Sequence, residues 1–243
     1  KVTNCTLNIG GNATAVGNFT LTDKKTGIIK VDGGNVVIGR GRPSGAAVTL
    51  TEFDVKSGTA HVGGATAGES SLTADTIVIG TKPASSETPD ASAKAASTAT
   101  FTIGNSGAIT SKGDLTVHKD GEIKFLQAAT AANSKITAKN GINLNGGSIS
   151  VENSGNGTVE SAITSNGGTI NVGTDGKNDT SLTVKANVIF EGEGGTLDIK
   201  DKGKFTVTHA TEDVLLDLGN ATVSNAGTID FGTLAGTKKA TLK

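Results

Sequence analysis

The stretch from Gly194 to Val207, GGTLDIKDKGKFTV, writes one figure twice: glycine, polar, apolar, polar, apolar. The same figure returns at Gly113 to Val117, Gly121 to Phe125, Gly147 to Val151, Gly168 to Val172 and Gly227 to Phe231. Earlier in the chain a sister figure puts the glycine after the apolar pair, at Leu7 to Gly10, Val36 to Gly39, Ile77 to Gly80 and Phe101 to Gly104, and Ile170 to Gly173 carries both forms. A period of two turns the apolar residues to one side and the polar residues to the other, as in a short strand with one buried face. The flanking glycine lets the backbone turn sharply, through positive φ if needed. Strands this short cannot stand alone, so each must stack on neighbours.

Larger spacings between figures are mostly roughly 21 to 29 residues, with one gap of about 41 between Gly39 and Gly80, the range of one coil of a solenoid. The shorter steps, 113 to 121 and 195 to 203, read as successive strands joined by a turn or equally as hairpins. Two folds therefore compete. An antiparallel sandwich is compatible with Asn-Gly and Asp-Gly pairs such as Asn140-Gly141 and Asp175-Gly176. A parallel β-helix is favoured by the uneven gaps and by Ile, Val or Leu recurring at coil-like intervals. The core composition agrees: no Trp, Tyr or Met, only 7 Phe, and 35 Gly. Thin branched side chains suit a narrow, evenly filled prism. The expectation is one all-β domain over residues 1–243, a parallel β-helix of about ten coils and on the order of 50 Å long.

Three segments depart from the pattern. Residues 81–98, TKPASSETPDASAKAAST, hold Pro83 and Pro89 and no large apolar residue, and read as a low-complexity loop projecting from a coil. Gln127 to Ser134 reads as a single helical turn, and Thr211 to Leu218 as a short helix or a strand entering the next coil. Neither terminus carries a capping pattern, so further coils, end-to-end contacts between copies, or loops are expected to cover the ends. The chain starts at Lys1 without an initiator Met, as an excised piece of a longer protein would.

A formal net charge of -1, from 22 basic and 23 acidic residues scattered singly, offers no stripe for nucleic acid and no patch for an anionic membrane. The longest apolar runs, such as Val214 to Leu216, are too short to insert in a bilayer. Cys5, the only cysteine, rules out an intrachain disulfide and a thiolate metal cluster.

Catalytic and ligand-binding chemistry has few footholds. His61, His118 and His209 lie far apart and show no zinc-ligand spacing. No nucleophile elbow is present. Acidic pairs at Glu191 and Glu193, Asp198 and Asp201, and Glu212 and Asp213 are where a polysaccharide lyase or hydrolase would place its carboxylates, but lysines 200, 202 and 204 surround them as on a solvated face. Thr174 to Thr180, TDGKNDT, has oxygen ligands in a glycine-containing loop without a calcium repeat. The only arginines, Arg40 and Arg42 in GRGRPSG, form a candidate anion contact beside the plainer reading of a polar turn. Six N-x-T sequons begin at Asn4, Asn12, Asn18, Asn156, Asn178 and Asn220, a number that a chain this rich in Asn and Thr reaches by chance. Thr-x-Thr pairs at 20 and 22, 98 to 102, and 206 and 208 do not recur at a fixed interval, so no flat threonine array is expected.

The G-[ST]-[LI]-x-[VIF] strands at Gly147, Gly168, Gly195 and Gly227, the turns at Asn145 to Gly147, Asn166 to Gly168 and Asn225 to Gly227, and the near absence of cysteine give the chain its likeness. Over most of its length it resembles the passenger domains of type V secreted adhesins of Gram-negative bacteria, the autotransporter and filamentous-haemagglutinin-like proteins. The asparagine-proline motifs of two-partner secretion domains and a C-terminal barrel segment are absent. The resemblance implies a right-handed β-helix, secreted or attached at the outer membrane. It implies adhesion to a host-surface or matrix component, or self-association, with no cofactor and no catalysis. A filament or surface-layer subunit built by end-to-end stacking is the alternative.

Overall fold

The computed structural model describes residues 2–3, 6–9, 17–20, 27–39, 46–63, 70–82, 98–126, 134–152, 155–173, 179–234 and 236–243. Among them are 24 strands and no helix. The strands form a parallel β-solenoid.

One coil shows the plan. Ser134–Ala138, Ile142–Asn145 and Ser148–Glu152 are consecutive strands that do not pair with one another. Each pairs in parallel with its counterpart one coil earlier, Gly107–Ser111, Leu115–His118 and Gly121–Leu126, and one coil later, Asn156–Val159, Ile163–Asn166 and Thr169–Val172. Three parallel ladders result, and they are called here the first, second and third faces in chain order. Thr180–Val184 and Gly203–Val207 continue the first face, Val188–Glu191 and Val214–Asp217 the second, and Thr196–Ile199 and Thr222–Asn225 the third. The long strands Ile28–Ile38, Ala46–Val62 and Ser70–Ile79 run past one or two corners without a break. The short steps from 113 to 121 and 195 to 203 are thus successive faces, and the hairpin alternative does not hold. Thr211 to Leu218 resolves into a bend followed by the strand Val214–Asp217. Of the helical turn expected at Gln127 to Ser134, residues 127–133 lie outside the described residues and Ser134 opens the strand Ser134–Ala138; most of the projecting loop, 83–97, also lies outside them, and its flanks Thr81, Lys82 and Thr98 are exposed at the corner between the second and third faces.

Parallel pairing in register puts like on like. Ile123, Ile149, Ile170 and Leu197 stack down the third face, and Ile77, Leu115, Ile142 and Ile163 down the second, every one fully buried. Burying each such side chain contributes about 1.5–3 kcal/mol. The prism is narrow, so bulk in one strand requires a gap in another. Phe53 and Phe101 meet across it with ring centroids 5.4 Å apart. Ser165 takes one place in a column between Leu144 and Phe190. Gly157 leaves room for the Phe125 ring, whose atoms lie 2.8 Å from where a Cβ would stand.

The two glycine figures have two physical origins. The trailing glycines Gly39, Gly80 and Gly173 turn the corner with φ of 79°, 85° and 80°, a region that side chains with a Cβ rarely adopt. Of the leading glycines, Gly121 lies against the preceding coil so closely that a Cβ would sit 2.6 Å from the carbonyl oxygen of Ile79.

Gly157→Ala is expected to lower stability by about 1–3 kcal/mol, and adding Phe125→Leu to recover part of that loss. Thermal unfolding of the single and double variants measures both; a neutral Gly157→Ala would show that the ring does not fill this space.

Candidate functional site

Outward residues obey the same register, so each face presents columns of polar side chains about 4.8 Å apart. On the third face one column runs Thr59, Thr100, Glu122, Ser148, Thr169, Thr196, Thr222. Beside it, two residues along each strand, runs His61, Thr102, Lys124, Ser150, Asn171, Asp198, Ser224, in which Thr102 and Ser150 are buried. From Ser148 onward the first of these columns consists of short hydroxyl side chains alone.

In the middle of this face charges tie the rungs together. Lys124 Nζ lies 3.4 Å from Glu122 and 3.1 Å from Glu152, and the Ser150 hydroxyl donates to Glu122. Burial lowers the Lys124 pKa, but the hydrogen bond to Glu152 and the charge of Glu122 outweigh it, and the net shift is upward. Lower down, Asp198 pairs with Lys200 at 2.7 Å across the strand end.

A second threonine column stands on the first face, where Thr49, Thr73, Thr110 and Thr137 stack in register although they lie 24, 37 and 27 residues apart in sequence. Threonine columns one residue wide are therefore present, an arrangement distinct from the flat array of Thr-x-Thr pairs considered above. Unequal corner lengths hide them, because extra residues are absorbed between strands and leave the register intact.

The candidate residues from the sequence are not gathered into one site. Arg40 and Arg42 lie outside the described residues, as do 174–178 of the oxygen-rich loop. Glu191 and Glu193 are both exposed around the turn at Gly192. The Asp198 carboxylate belongs to the third face, whereas Asp201 accepts from the Lys202 amide in the following turn. Asp213 accepts from the Lys239 amide. His118 is buried at the corner between the second and third faces, while His209 sits between the first and second. Among the described residues no three His, Cys, Asp or Glu side chains converge as metal ligands would.

The corner between the first and second faces does hold a groove of about 460 Å³ that the sequence did not reveal. Its floor is made of small residues, Ala138, Ser161, Ala162 and Ala186. Lys139 and Asn140 stand on one side, and His209, from the longer corner 208–213, on the other. Glu160 and Lys185, paired at 2.9 Å, complete the wall. The signal for it exists only after the coils are aligned, when the small residues of successive corners fall beneath one another.

Two buried ionisable groups set a pH response. Asp54, on the second face, is 6% exposed and its Oδ1 has no hydrogen-bond partner among the described residues. Burial pushes its carboxyl above the usual 3.8, with Lys56 and Lys30 opposing. The folded value lies above the unfolded one, so stability falls as pH rises from about 3.8 through the raised value. Burial, then the charge of Lys82, pulls the His118 imidazole below 6.5, so here stability falls as pH drops from 6.5 through the lowered value. Asp54→Asn is expected to stabilise the protein at pH 7 by an amount that shrinks toward pH 3.8, and His118→Gln to flatten the loss below pH 6.5. Denaturant unfolding at a series of pH values checks both slopes. No family model, curated protein or solved structure matches this chain.

Proposed function

We propose that this chain is a non-catalytic β-solenoid of a bacterial cell surface, of the type V passenger kind. In this reading it adheres to a host-surface or matrix component, or to sister rods, through its third face. The observation that carries the reading is the pair of outward columns on that face. Evenly spaced hydroxyl groups repeat over the successive rungs from Ser148 to Thr222, so weak contacts to an extended partner sum along the rod. A parallel ladder holds these groups in place through its backbone, and their short side chains lose little rotamer freedom on contact. The glycine-flanked strands and Asn-Gly-Gly turns that carry the resemblance in sequence coincide with the strands and corners of the solenoid, which supports the same assignment. Right-handed winding, the usual hand of parallel crossovers, and about ten coils belong to this reading. So do secretion and outer-membrane attachment.

The test uses beads coated with the purified chain, scored for clumping with one another and for retention on a host-cell layer and on extracellular matrix. Thr169→Arg with Thr196→Arg places two bulky charges in the hydroxyl column. These variants are expected to keep the circular dichroism of the parent and to lower clumping or retention by about tenfold, since adjacent contacts in one array are lost together. Unchanged clumping and retention in the folded double variant, or neither behaviour in the parent, would overturn the proposal.

A further inference from the structure

We infer that the groove at the corner between the first and second faces binds a carboxylated sugar, such as a uronate unit of an acidic glycan. The groove follows from the way successive corners are filled. Corners 139–141, 160–162 and 185–187 each join the two faces with three residues, and the next corner, 208–213, takes six. The middle corners supply Ser161, Ala162 and Ala186, so the surface recedes there between Lys139 on one side and the longer turn on the other. The Ser161 hydroxyl accepts from the Ala138 amide and is committed to the floor.

The wall chemistry selects the ligand. His209 Nδ1 accepts the amides of Thr211 and Glu212, at 3.2 and 2.9 Å, which fixes the ring and leaves its proton on Nε2 as a donor. Asn187 Oδ1 accepts the amide of Leu215 at 2.9 Å and ties the strand that follows the long corner back to the coil before it. Glu160 is neutralised by Lys185. Lys139 is exposed and has no ion pair among the described residues, so the groove carries one net positive charge. A small apolar floor suits a pyranose ring. One uncompensated ammonium suits a carboxylate, and the paired Glu160 suits sugar hydroxyls. A volume of about 460 Å³ lies within the usual range for small-molecule sites. This inference does not rest on the adhesive role of the third face, which lies on another side of the prism.

Amide chemical shifts of the full chain, titrated separately with glucuronate, glucose and inorganic phosphate, test it. Glucuronate is expected to shift the amides of Lys139, Ala162 and His209 and to bind about tenfold more tightly than either other probe, as a charge-assisted contact added to the sugar contacts would give. Lys139→Gln is expected to weaken glucuronate about tenfold, with Lys204→Gln, in the exposed pair with Asp230, leaving it unchanged. Equal binding of glucose would remove the role of the carboxylate. Equal binding of phosphate would reduce the groove to a general anion contact, and shifts confined to other residues or full affinity in Lys139→Gln would overturn the site.

Discussion

In-register pairing of parallel backbones is the constraint on which the rest of this structure depends. Each strand offers its amides and carbonyls to the coil before and the coil after, so a residue's neighbours on its own face are fixed by ladder position and not by distance in sequence. Inside, this forces columns of Ile, Val and Leu. Outside, it forces columns of threonine, serine and charge. Its geometry also favours glycine where the chain turns with positive φ, as at Gly173, and demands it where the backbone presses against the previous coil, as at Gly121.

The faces and the corners therefore serve different ends. Faces are held by the ladder and vary only in which side chains they display, which makes them suited to extended, repetitive contact. Corners tolerate changes in length and composition because extra residues leave the register untouched. Coils touch only their neighbours, so a short corner beside a long one shapes the surface locally without disturbing the rest. The groove beside Lys139 and His209 is one product of that freedom. The interior is less forgiving: Phe125 is accommodated because Gly157 has no side chain, and size matching of this kind couples strands on different faces.

The strands and corners were largely legible in the sequence, because period-two alternation and its flanking glycine are local features. Gly121 to Phe125 lies within a strand and Thr169 to Val172 forms one, as their patterns imply. Pairing was not legible locally. The step from 113 to 121 fits a hairpin and a corner equally well, and only the ladder partners of Leu115–His118 decide between them. The threonine column from Thr49 to Thr137 escaped notice for the same reason, since corner insertions erase any fixed interval. The acidic pairs show the opposite failure. Asp198 and Asp201 are close in sequence, yet the first belongs to a face and the second to a turn. Glu160, Lys185 and His209 are far apart in sequence and line one groove.

Cysteine cross-linking in a Cys5→Ser background measures the register directly. Thr169 and Thr196 are ladder partners on adjacent coils, with Cα atoms about 5 Å apart as such partners are, within disulfide reach. Thr116 and Lys124 would face each other if Leu115–His118 and Gly121–Leu126 formed a hairpin. Stacked coils predict that Thr169→Cys with Thr196→Cys oxidises to an intrachain disulfide in the folded protein, whereas Thr116→Cys with Lys124→Cys does not. A disulfide in the second pair and none in the first would contradict the solenoid and everything built on it.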